Sequence, residues 1–152
     1  LEFIKIMPNK IQDYESIITN NPIFTTRTQG KGVISKAGAA QYSITGPNLR
    51  ASGVDLDYRK KHPYLIYDEL EFDVPTAKSG DSFDRYIVRI EEMRVCLNLI
   101  SQCALWLKKN QGAVKTSIKP ANLKVPQGEF ISNVETPRGL CSCYLNINLS
   151  SV

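Results

Sequence analysis

The run from Gly80 to Leu107, GDSFDRYIVRIEEMRVCLNLISQCALWL, constrains the chain more than any other stretch, because after its first residue it contains nothing that stops a helix. No proline interrupts it, and the next glycine is Gly112. Phe83, Ile87, Ile90, Leu97, Ile100, Ala104 and Leu107 recur at separations of three, four and seven, with Tyr86 and Met93 beside them, the spacing of one helix face. Asp81 is positioned to cap the free amides of the first turn, and Asp84 puts a second acid where the helix dipole favours it. Such a helix spans about 40 Å, long for an ordinary domain element. The remainder is expected to be arranged around it, as part of a bundle.

With 42% hydrophobic and 22% charged residues in 152, the chain has the composition of a globular domain with one core. No segment approaches the run of about 18 apolar residues that a membrane span needs, and LEFIKIMPNK has no signal-peptide pattern. The opening Leu1-Glu2-Phe3-Ile4 and the closing Asn146 to Val152 both read as interior sequence, so a fragment or split product is expected. A net charge of +4, spread along the chain, is weak support for a nucleic-acid partner. Cys96 and Cys103 lie about 10 Å apart on a helix, and Cys141-x-Cys143 lacks further ligands at metal-binding spacing, so reduced, buried thiols are expected.

The rest divides by pattern. Residues 1–45 read as short helices and loop: Ile11 to Thr19 as a helix stopped before Asn20-Asn21-Pro22, Phe24 to Ile34 as a loop, and Lys36 to Tyr42 as a helix capped by Ser35. Residues 46–79 mix turn residues, aromatics and charges without a period, which predicts an ordered irregular loop packed on the long helix. Residues 108–127 read as an exposed linker. Residues 128–152 alternate in places around Pro137-Arg138-Gly139, predicting a β-hairpin. The class is α+β and helix-dominated.

Motifs for catalysis are weak. His62 is the single histidine, in Arg59-Lys60-Lys61-His62-Pro63, and reads as a surface or interface residue. Gly30-x-Gly32 follows no strand and there is no Walker pattern. Glu91-Glu92 and Asp68, Glu69, Glu71 and Asp73 fit solvated or ion-paired faces better than a catalytic dyad. Arg85, Arg89 and Glu92 form a charged stripe on the helix. Beside a loop carrying Asp55, Asp57, Arg59 and Asp68, that stripe predicts an ion-pair network fixing how loop and helix meet. The alternative is a basic single-stranded RNA-binding or assembly module built on Tyr58-Arg59-Lys60-Lys61-His62-Pro63-Tyr64.

Gly46-Pro47-x-Leu49-Arg50-Ala51-Ser52-Gly53, then Asp57-x-Arg59-Lys60, Pro63-Tyr64-x-x-Tyr67-Asp68, Phe72-Asp73-Val74-Pro75 and GDSFDRYIVRIEEMR follow one another without gaps from Gly46 to Arg94. In this order they resemble the hydrogenase-like core subunit of respiratory complex I, the NADH:ubiquinone oxidoreductase. Asn21-Pro22-Ile23-Phe24-x-x-Arg27-Thr28-x-Gly30-x-Gly32 extends the similarity upstream, and Val134-Glu135-x-Pro137-Arg138-Gly139 extends it more weakly downstream.

The resemblance implies a fold similar to the large subunit of nickel-iron hydrogenases, a helical bundle with a flanking C-terminal hairpin and the metal cysteines lost. It implies scaffold and inter-subunit contacts, with Arg50, Ser52, Asp57, Arg59, Tyr64, Tyr67, Asp68, Asp81, Asp84, Arg85, Arg89 and Glu92 as structural or interface candidates. No cofactor is expected on this chain. The complex would contain FMN, iron-sulfur clusters and ubiquinone. Implied partners are other complex I subunits, above all the small subunit carrying the terminal 4Fe-4S cluster, the missing parts of this chain's own subunit and, indirectly, the membrane arm, with no nucleic acid. The implied place is the matrix side of the mitochondrial inner membrane. Lys108 to Gln127 is shorter than the family's usual connection, Leu140 stands where a Glu is common, and Leu149-Ser150 replaces a Gly-Ser turn.

Overall fold

A computed structural model describes residues 2–115, 117 and 125–148. Residues 116 and 118–124 of the expected linker and the Leu149-Ser150 position lie outside the described residues. Among the described residues six α-helices precede one antiparallel hairpin: α1 Glu2–Tyr14, α2 Pro22–Thr28, α3 Lys36–Gln41, α4 Gly46–Ala51, α5 Tyr58–Lys61, α6 Ser82–Lys109, β1 Gly128–Thr136 and β2 Gly139–Ile147. The arrangement is α+β and helix-dominated, as the sequence predicts.

The long helix begins as its caps require. Asp81 accepts from the Asp84 amide at 2.7 Å and from the Gly30 amide at 2.8 Å, so one carboxylate closes the helix and fastens the preceding loop to it. Asp84 turns back to accept from the amides of Lys78 and Ser79. Gly80 is paired through its backbone to both Ile34 and Ala51.

Upstream, two expectations are corrected. The first helix runs from Glu2 through Pro8 and passes into one π-helical stretch, Glu15–Thr19, rather than starting at Ile11. This stretch ends at Thr19, before Asn20-Asn21-Pro22 as expected, but a new helix starts at once: the Asn21 carboxamide caps α2 and Pro22 occupies its first turn, where a missing amide costs nothing. Phe24, expected in a loop, thereby reaches Phe83 and Tyr86, with ring centroids 6.1 and 5.0 Å away. Ser35 caps α3 as expected, accepting from the Gly38 amide.

Residues 46–79 carry more regular structure than the expected loop. Thr45 precedes α4, Asp57 caps α5 and a 3-10 turn covers Tyr67–Glu69. Each helix is about one turn or two, too short for a periodic signal to emerge from the sequence. Farther along, Glu71 exchanges hydrogen bonds with Gln102, and Trp106 donates to Glu69, lacing this segment along α6.

The apolar residues of α6 do not form the single stripe predicted. At about 100° per residue, Val88 and Leu99 lie on one side of the helix, while Tyr86, Ile90, Met93 and Leu97 lie on the opposite side. Val88 and Leu99 are buried on the first side and Ile90 of the predicted stripe is buried on the second, whereas Ile100 and Leu107, both assigned to the core stripe, are 40% and 62% exposed. The cysteines are free but not buried as expected: Cys96, Cys141 and Cys143 are exposed and Cys103 is half-buried, because the described residues leave these parts of α6 and the hairpin uncovered. No helix among the described residues is long and apolar enough to cross a membrane.

The hairpin pairs Thr136 with Gly139 around the two-residue turn Pro137-Arg138. Its turn end docks on α4. A Cβ on Gly46, whose φ is +65°, would lie 2.3 Å from the Gly139 Cα, and the Leu140 amide donates to Thr45 Oγ1 at 3.0 Å. Gly46→Ala is therefore expected to cost more than about 2 kcal/mol and to detach the hairpin. Gly30→Ala, at the same φ but with nothing within 4 Å, is expected to cost only about 1 kcal/mol. Urea denaturation of the two variants checks the difference.

Candidate functional site

A cluster of five charged side chains lies where α4, α5, α6 and β1 meet. At its centre is Arg50, the largest fully buried side chain, 1% exposed. Its guanidinium reaches Glu92 on α6 at 2.6 Å, Glu135 on β1 at 3.1 Å and Asp57 at 3.7 Å, and it donates to the Leu56 carbonyl at 3.0 Å. Arg59 grips Asp57 at both carboxylate oxygens, at 3.0 and 2.6 Å, and extends to Glu92 at 3.3 Å. The contact from Arg50 Nη2 to Glu92 Oε1 is close but not aligned as a hydrogen bond, so Glu92 Oε1 is buried without a hydrogen-bond partner, and Arg50 Nε is likewise unpartnered among the described residues.

Local sequence explains why these groups converge. Asp57 caps α5 through the Arg59 amide, so the cap and the ion pair use one carboxylate. Arg59 then lies over the rings of Phe72 and Tyr67, at 5.2 and 6.0 Å. Tyr64 meets Tyr67 edge-on at 4.9 Å and its hydroxyl accepts from the Glu135 amide, so the aromatic residues of 58–72 wall the cluster on the hairpin side. Ser52 lies outside the cluster and holds α4 to the Ile34 carbonyl.

The remaining candidates fall elsewhere. Arg85 donates to the Gly80 carbonyl and Ser82, serving the start of the helix. Arg89, exposed, bonds the Arg85 carbonyl and Asn48 and meets no carboxylate among the described residues. Asp68 is exposed and likewise unpaired among them. Of the predicted stripe, only Glu92 enters the network. Arg50 supplies its main cation, and Glu135, absent from the candidates, supplies its third acid. The match Val134-Glu135-x-Pro137-Arg138-Gly139 carried the signal, since it places Glu135 two residues from a turn that must dock.

Burial alone would push the Asp57 carboxyl up, but the Arg59 hydrogen bonds and the charges of Arg59 and Arg50 hold it below the usual range. For Arg59, burial lowers the pKa, and Asp57 and then Glu92 more than reverse it. Asp81 is opposed by burial too, yet its amide donors and Arg85 hold it low. These ions keep their charge through neutral pH, which suits a fixed tie between elements. Among the described residues no group of His, Cys, Asp and Glu is placed to hold a metal ion, and the four cysteines sit on one helix and one strand without converging.

Beside the cluster runs an apolar groove of about 800 Å³, floored by α6 and bordered by α1 and the hairpin turn. Arg59, Glu92 and Glu135 form part of its wall.

A family model described as respiratory-chain NADH dehydrogenase, 49 Kd subunit, matches residues 1–121. The chain belongs to this family. The NADH-quinone oxidoreductase D subunit of Coxiella burnetii is 42% identical over 168 residues, taking in 95% of this chain and 40% of that protein. Its counterpart in Burkholderia vietnamiensis is 39% identical with the same coverage, and one in Sinorhizobium medicae is 41% identical over 95% of this chain and 41% of its own length. The chain thus spans about 40% of the length of the curated relatives it matches. An alignment of 168 residues also exceeds the 152 present, so these 49 Kd relatives carry residues with no counterpart here. A chain in the structure of the membrane-bound sulfane sulfur reductase, an archaeal respiratory membrane complex, superposes with a TM-score of 0.85 at 37% identity, covering 95% of this chain and 40% of that one.

Arg50→Ala, which removes the cation shared by Asp57, Glu92 and Glu135 and leaves Glu135 with no ion-pair partner among the described residues, is expected to cost about 3 to 5 kcal/mol, against under about 1 kcal/mol for Arg89→Ala. Urea denaturation followed by circular dichroism compares them. Asp57 and Asp81 have depressed pKa values in the folded chain, so their stabilisation is full above the unfolded value of about 3.9 and is lost as pH falls through the folded values. Asp57→Asn is expected to be less stable than the parent at about pH 7 and to lose less stability on acidification below about pH 4, measured by the same denaturation across pH.

Proposed function

We propose that the chain is a scaffold piece of the core subunit of an NADH:ubiquinone oxidoreductase, acting in the peripheral arm of a respiratory complex on the matrix side of the mitochondrial inner membrane. The complex carries electrons from NADH through FMN and iron-sulfur clusters to ubiquinone, coupled to proton translocation. This chain holds the subunit's shape and does not itself bind a cofactor. Its partners are the small subunit with the terminal 4Fe-4S cluster, the rest of its own subunit and, indirectly, the membrane arm.

One observation carries the reading. Four charged residues of the segment that resembles the family, Arg50, Asp57, Arg59 and Glu92, assemble the buried cluster together with Glu135 of β1. The family segment therefore acts as a packed joint between α4, α5 and α6, which supports a structural role inside a larger assembly. The competing single-strand-binding surface loses its basis. Arg59 is buried against Asp57, and the Lys60 ammonium is engaged by the Phe72 carbonyl, so the basic run does not present three free cations.

Native-gel separation of respiratory membranes, with mass spectrometry of the band that oxidises NADH, tests the proposal. Peptides of this chain are expected in that band together with the remaining regions of the subunit. Recovery of the chain only as a soluble monomer overturns it.

A further inference from the structure

The side of α6 that faces away from Val88 and Leu99 is built like a core face, yet the chain covers only part of it. Tyr86, Ile90, Met93, Leu97 and Ile100 follow one another at separations of three and four, a stripe about 21 Å long. Phe3 and Met7 of α1 form the facing wall, and Phe3 is 54% exposed. A trough between two helices, with apolar residues in rows along its floor and wall, has the shape that receives a third helix packing ridges into grooves.

Charge at the rim narrows the occupant. Arg89 and Arg138 line the groove, and neither meets a carboxylate among the described residues. The acids that also line it, Glu92 and Glu135, are already committed to Arg50 and Arg59. Among the described residues the groove therefore has two cations to offer and no free anion. The relatives contain more than half their length beyond what this chain spans, ample sequence to supply a covering helix.

We propose that this groove is the docking site for a helix from the remainder of the same subunit, apolar on the face it buries and carrying at least one carboxylate opposite Arg89 and Arg138. The proposal rests on the chain's place in the subunit argued above and adds the surface and the chemistry of its neighbour.

The chain has two methionines, Met7 and Met93, and both line the groove. Growth of the native host on photo-methionine thus puts this chain's photoreactive groups only there. After irradiation of the NADH-oxidising complex, cross-links from Met7 and Met93 are expected to fall on one helical peptide from the rest of the subunit that contains Asp or Glu. Cys96, exposed here and lining the same groove, is expected to react with maleimide at least tenfold more slowly in the complex than in the separated chain. Arg89→Glu and Arg138→Glu are each expected to lower the amount of chain in the complex severalfold.

Cross-links to a second copy of this chain, to an unrelated subunit, or to a segment without a carboxylate overturn the proposal. So does a Cys96 that stays fully reactive in the intact complex. If the chain is in the complex and its groove is open, only this inference fails. If the chain is absent from the complex, the scaffold reading fails with it.

Discussion

Everything else in this structure depends on the burial of one guanidinium. Arg50 projects from a two-turn helix into the interior, and removing its charge from water is costly unless several acceptors surround it. No single segment provides them. Asp57 comes from the cap of α5, Glu92 from the third turn of α6 and Glu135 from the end of β1, so the cation is satisfied only when four elements have reached their places. Such a cluster does more to select one arrangement than to add net stability, since packed apolar residues of the same volume would hold as well. It explains how a stretch with little regular structure is nonetheless fixed against the long helix.

The second constraint is that α6 is apolar on two opposite sides. One side meets α4 and the segment before the helix, where Val88 and Leu99 are buried. The other meets α1 and the hairpin turn only in part. A helix apolar on two opposite sides needs cover on both, and the groove bordering Met93 and Leu97 leaves one of them open to a neighbour. The charge cluster and the groove share Arg59, Glu92 and Glu135 as walls, so the joint that orders the chain also shapes the proposed docking surface.

The electrostatics are consistent with a fixed joint. Asp57 is held ionised by its two arginines and Arg59 is held charged by its acids, so this pair keeps its charges through neutral pH. The rings of Tyr67 and Phe72 shelter Arg59 and keep water from competing for the pairs.

By itself the sequence determined the elements whose causes are local. The uninterrupted run to Leu107, the Asp81 and Ser35 caps and the Pro137-Arg138 turn are set by residues within a few positions of one another, and each stands where the pattern puts it. The resemblance between Gly46 and Arg94 likewise named the family from order and spacing alone. Only the tertiary structure decided which charges meet. Arg85 and Arg89, neighbours of Glu92 by helical spacing, stay outside the cluster because they point toward the helix start and Asn48, while Glu135 enters it from 85 residues beyond Arg50. Tertiary structure also divided the apolar residues of α6 between a covered and an open side. Periodicity reports that a face is apolar, but which face is buried depends on what the rest of the chain brings against it.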